Sequence, residues 1–111
     1  MAIDRIPQLL AFLEEDPANA FLRFALAMEY VKADRLEEAR TQFEELLRDD
    51  PSYVGAYYHL GKLYERLGRK ADAIETYRTG IQQADLAREQ HFKSELQAAL
   101  LEAQGIGFDD E

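Results

Sequence analysis

The residues from Ala20 to Ala87 state one pattern twice, 34 positions apart. Leu26, Ala27 and Tyr30, followed by Ala39 and Phe43, return as Leu60, Gly61 and Tyr64, followed by Ala73 and Tyr77. A self-similarity of that period marks a chain built from stacked supersecondary units. Inside each unit the apolar residues keep helical spacing, as Leu36, Ala39, Phe43, Leu46 and Leu47 do. The small side chains at 27 and 61, and at 39 and 73, fall at matched points of two successive helices. Two helices can nestle closely only where neither carries bulk, and the aromatics Tyr30, Phe43, Tyr64 and Tyr77 then fill the space on either side. An all-α fold of helix–turn–helix units follows.

The punctuation agrees with this. Asp16-Pro17 and Asp50-Pro51 end the preceding helices, since proline bars their continuation and suits the first turn of the next. Asp34, three residues before Glu37, has capping-box spacing and is expected to cap the second helix of its unit. Gly68 supplies a turn. An N-terminal cap helix is expected over 3–14, with Asp4 as its N-cap and Pro7 in its first turn. Aligned from Pro17 backwards, it takes the place of a second helix, with Leu9 and Phe12 matching Phe43 and Leu46. A C-terminal cap helix is expected over 86–104, burying Phe92, Leu96, Ala99, Leu100 and Ala103 and ending at Gly105. Strict continuation of the period would instead bury His91, Ser94 and Glu95. The segment 105–111, with its terminal acids, is expected to be a flexible acidic tail.

Tyr57, Leu60, Gly61, Tyr64, Gly68, Ala73 and Tyr77 together resemble the tetratricopeptide repeat (TPR) family, and the likeness covers about 68 residues in full. It implies a short TPR-type α-solenoid of antiparallel helix pairs, about six helices, in a single domain over 1–111, with repeats at 20–53 and 54–87. Two positions depart from the pattern. Arg23 stands where an aromatic belongs, so weaker outer packing is expected there, and Asp85 replaces the closing proline.

The resemblance also implies a concave groove, lined by the first helices of the repeats, that docks a partner peptide or helix. The residues assigned to it are Phe21, Phe24, Met28, Val31 and Lys32 in the first repeat and Tyr58, His59, Lys62 and Arg66 in the second. Such a groove is apolar and aromatic at one end and basic at the other. It suits a protein or peptide partner with apolar anchors and an acidic group. Some family members hold the C-terminal carboxylate of chaperones with lysine and asparagine; here Phe24, Met28 and His59 occupy those places, so that activity is not implied. A second reading is a structural homo-oligomer, a homodimer for instance, joined through the groove or an end face. A third would have Ile106 and Phe108, followed by three acids, enter the groove from the chain's own tail.

The charge excludes other classes. Twenty-two acidic residues against 13 basic ones give a formal net charge of -9, which disfavours nucleic acid and anionic membrane as partners. There is no cysteine, hence no disulfide and no thiolate ligand, and His59 and His91 lack metal-site spacing. No phosphate-binding glycine loop or nucleophile elbow is present. The expectation is a non-enzyme without catalytic residues, metal or cofactor; a small-molecule or metal-dependent activity would need a deep closed pocket around His59 and Arg66. Neither a secretory leader nor an apolar run of about 20 residues is visible, so a cytoplasmic location is expected.

Overall fold

The computed structural model describes residues 4–105, and these hold six α-helices and no strand. The expected helix start at Ile3 and the tail residues 106–111, Ile106 and Phe108 among them, lie outside the described residues. The chain divides into two compact units, Met1–Asp50 and Pro51–Glu111.

The first unit contains α1 (Ile6–Glu15), α2 (Ala20–Lys32) and α3 (Leu36–Asp49), with α1 packed on α2 and α2 on α3. The N-cap of α1 is Arg5 rather than Asp4, although the Asp4 carboxylate accepts from the Ile6 amide at 3.0 Å, and Pro7 sits in the first turn. Asn19 opens α2 by accepting from Leu22 N–H at 3.0 Å, so Pro17 lies in the turn ahead of the helix rather than inside it. Leu26, Ala27, Tyr30, Ala39, Phe43 and Leu46 are buried. Their removal from water supplies the driving force for pairing α2 with α3. One alignment fails: Phe12 is 50% exposed, and α1 buries Ile6 instead.

The second unit contains α4 (Gly55–Arg66), α5 (Lys70–Leu86) and α6 (Gln90–Gln104). Here α5 packs on both neighbours, and α6 returns to touch α4. The buried set repeats that of the first unit at Leu60, Gly61, Tyr64, Ala73 and Tyr77. The void left by Gly61 is filled by the ring of Tyr77, whose Cζ would lie 2.6 Å from any Cβ placed there. Gly80, a mid-helix glycine that the repeat does not explain, meets the same need: a Cβ would fall 2.6 Å from that of Tyr57 and 3.0 Å from Leu96 Cδ1. Along α6 the buried residues are Leu96, Ala99 and Ala103, while His91, Ser94 and Glu95 face solvent. Gly105, at φ 74°, ends the helix.

Asp34 is not an N-cap. It has φ 61° and closes α2: its amide donates to Val31 O at 3.0 Å, and that of Arg35 reaches back to Tyr30 O at 2.8 Å. This is a Schellman closure, which uses a left-handed residue to satisfy orphan carbonyls. Gly68 (φ 75°) and Arg88 (φ 59°) do the same after α4 and α5, with Arg69 donating to Tyr64 O and Glu89 to Ala84 O, both at 2.8 Å. An acidic residue shortly before a helix carries the same sequence signal in either role. The 34-residue match to Gly68 is what separates them.

Candidate partner-binding surfaces

On α2, Phe21 is 66% exposed, while Phe24, Met28 and Val31 are half-buried and Lys32 is exposed. Phe24 is not a free anchor, because its ring packs edge-on against Phe43 with centroids 6.1 Å apart. Lys32 lies 3.5 Å from Glu29 one turn back. The α2 face therefore offers a half-covered apolar strip with one protruding ring.

Elsewhere in this unit Arg23 lines an open hollow of about 540 Å³ with Leu13, Pro17, Glu45, Asp49 and Asp50. Its side chain is only 12% exposed, and the guanidinium is 3.1 Å from Asp49 and 3.8 Å from Glu45. The weak packing expected at Arg23 is thus replaced by an ionic clasp. At the matched position Tyr57 is buried and donates its hydroxyl to Pro51 O at 2.6 Å. The hollow contains none of the residues assigned to the groove.

On α4, Tyr58, His59 and Lys62 are half-buried and Arg66 is exposed. The His59 ring meets Tyr58 edge-on at 5.5 Å, and Lys62 Nζ lies 5.6 Å from the centre of the Tyr58 ring. Burial pushes the His59 imidazole below its ordinary pKa, against a smaller opposing pull from Glu95. The surroundings of Lys62 add carboxylates to the basic end of the expected groove. Its ammonium is bound to Glu102 at 3.2 Å, and Tyr58 and Lys62 share with Glu95, Ala98, Ala99 and Glu102 an open hollow of about 350 Å³. Partial burial works against the charge on Lys62, but the bond to Glu102 and the field of Glu65 outweigh it and hold its pKa above the ordinary value. The repeat carries no information on this pairing, because α6 leaves the period.

One constellation escaped the sequence reading altogether. Arg35 stacks 4.8 Å from the Tyr30 ring centre and binds Glu38 through two bonds of 2.7 and 2.6 Å. Arg69 stacks 4.7 Å from that of Tyr64 and binds Asp72 at 2.8 Å. The signal was present as Tyr-x₄-Arg-x₂-acid at 30, 35 and 38 and again at 64, 69 and 72. The bond from Arg35 holds the Glu38 carboxyl below its usual range. Deeper in the second unit, Tyr77 donates to Glu65 at 2.5 Å, and burial followed by that bond drives its phenol well above the usual value.

The sequence model of the tetratricopeptide repeat matches residues 24–103. The chain belongs to the tetratricopeptide repeat family. Solved TPR structures agree. The solution structure of a TPR domain protein from Salinibacter ruber is 50% identical, covering 86% of this chain and 96% of that one with a TM-score of 0.78. A protein of Bordetella parapertussis is 29% identical over 94% of this chain and 89% of its own, at a TM-score of 0.78. MamA, at 24% identity, 89% and 64% coverage and a TM-score of 0.65, shares the fold. Among curated proteins none matches. The TPR assignment carries with it an all-α helical-repeat solenoid and a general role in protein–protein interaction. Among the described residues no helix is long and apolar enough to cross a membrane, and no three histidine or acidic groups are placed to hold a metal ion.

Proposed function

We propose that this TPR chain is a non-enzymatic docking module with repeats at 20–53 and 54–87 flanked by cap helices, which binds a protein partner on the first helix of each repeat. The observation that carries the reading is the α4 surface. Tyr58 and Lys62, assigned to the docking face from the sequence, flank an open hollow rather than a closed core or a deep pocket. An open hollow with an aromatic wall and a charged rim suits a side chain of another protein better than a reaction needing exclusion of water. Phe21 adds a ring standing out from α2. The test is capture from the lysate of the source cells by wild type, Phe21→Ala and Tyr58→Ala, each first shown to melt within a few degrees of wild type. Proteins retained by wild type and lost from a variant are the expected outcome; identical retained sets refute the surface.

Self-association is the second reading, favoured by Leu10 and Phe12 on α1, 44% and 50% exposed. Sedimentation over a hundredfold concentration range separates the two, since a docking module of this kind stays monomeric.

A further inference from the structure

The chain twice makes one three-part contact within its own turns: a tyrosine ring, an arginine stacked on it and a carboxylate gripping the guanidinium. At Tyr30–Arg35–Glu38 and Tyr64–Arg69–Asp72 the cation lies 4.8 and 4.7 Å from the ring centre, and its acid bonds measure 2.6 to 2.8 Å. The hollow between α4 and α6 holds the same elements in looser form. Lys62 Nζ stands 5.6 Å from the Tyr58 ring centre and binds Glu102 at 3.2 Å. A second carboxylate, Glu95, lies two turns earlier on the same face of α6, 3.5 Å from His91 at the rim. Glu95 and Glu102 keep 45% and 61% of their side chains exposed, so both retain oxygens turned to solvent. Between them Ala98 and Ala99 give the floor its depth.

The Lys62 ammonium is held by Glu102 but stands 5.6 Å from the Tyr58 ring centre, farther out than the two stacked guanidinium groups at 4.8 and 4.7 Å. A planar guanidinium can lie on an aromatic face and present paired N–H donors to carboxylates, which an ammonium on a flexible stem cannot do at once. The charge also points one way, because two carboxylates face one lysine in a chain of net charge -9. We propose that this hollow receives an arginine side chain from a protein partner, which lies on Tyr58 between Glu95 and Glu102 and displaces Lys62 towards solvent. This inference rests on the docking reading and reverses the charge of the ligand expected from sequence.

The experiment uses two capped helical peptides, acetyl-(Ala-Ala-Ala-Arg)₃-amide and its glutamate counterpart, titrated into the full chain at about 150 mM salt. Amide resonances of Ala98, Ala99 and Tyr58 are the readout. The arginine peptide is expected to shift them saturably, and Glu95→Gln/Glu102→Gln to weaken its binding roughly tenfold or more, as loss of charge-assisted bonds requires. Glu14→Gln/Glu15→Gln, which removes equal charge from α1, should change it less than twofold. An equal loss in both double variants would reduce the effect to general attraction and overturn the proposal. Shifts with the glutamate peptide alone would leave a docking surface but of the opposite chemistry. Shifts with neither peptide would remove the hollow from the docking surface, leaving Phe21 and α2 to be judged by the capture experiment. Concentration-dependent shifts at Ala98 and Ala99 without peptide would assign the hollow to a second copy, again against the proposal.

Discussion

Gly61 is occupied by a neighbour rather than simply small. The Tyr77 ring lies where its side chain would be, and burial and the bond to Glu65 hold that ring in place. An added methyl cannot be accommodated by the free end of a flexible chain, because the atoms it meets belong to a rigid ring. Gly61→Ala is therefore expected to lose about 1–3 kcal/mol, more than offsetting the helix propensity that alanine gains. Gly55→Ala meets only the tip of Phe92 at 3.6 Å, an ordinary contact, and should be close to neutral. Urea melts of the two variants check the pair, and equal midpoints would contradict the packing described. The steric part of this was readable in advance, since a glycine at 61 against an alanine at 27 signals close approach. That Tyr77 fills space beside these small residues was also expected; what the sequence did not show is that its ring lies directly over Gly61, nearer than any other side chain. Gly80 gave no usable sign, because a lone glycine inside a helix looks like a defect until Tyr57 and Leu96 are seen against it.

At the scale of elements, three helices end by one device, and only one of its three left-handed residues is glycine. Asp34 and Arg88 carry a Cβ into a conformation that costs a non-glycine residue energy. Arg88 is exposed, and its backbone φ of 59° is shared by Gly68 at 75° without neighbours. Arg88→Gly should consequently raise stability by about 0.5–1 kcal/mol, seen as a higher thermal midpoint with unchanged helix content. A lower midpoint would mean that the arginine makes a contact worth more than the strain. Periodicity made Leu96, Ala99 and Ala103 of the α6 stripe legible, but Phe92 and Leu100 are only half-buried, and the helix expected from residue 86 starts at Gln90, because α5 runs on to Leu86 and the Arg88 turn intervenes. Asp34 was misread because capping and closing residues share a composition. The Lys62–Glu102 pair was illegible for a different reason, as Glu102 sits on α6, whose buried positions do not continue the 34-residue period. That pairing sets two carboxylates of α6, Glu95 and Glu102, in the hollow beside Lys62 of α4.

For the molecule as a whole, the acidic excess sets the response to salt. Among the described residues the ion pairs are mostly local, several between residues three or four apart in sequence, and exposed pairs of that kind contribute little. Repulsion among 22 carboxylates acts over longer range and is the part most reduced when the screening length falls from about 30 Å at 0.01 M salt to about 8 Å at 0.15 M. The melting temperature should rise by a few degrees across that interval, and a fall would show the ion pairs to matter more than the repulsion. Within each unit a helix rests chiefly on the one before it and the one after, with α6 on α4 as the added contact in the second. A chain arranged in this way closes few long loops before its apolar side chains meet. Each unit should gain its structure on the sub-millisecond to millisecond scale usual for helical bundles, with little time for unpaired apolar faces to find the wrong neighbour.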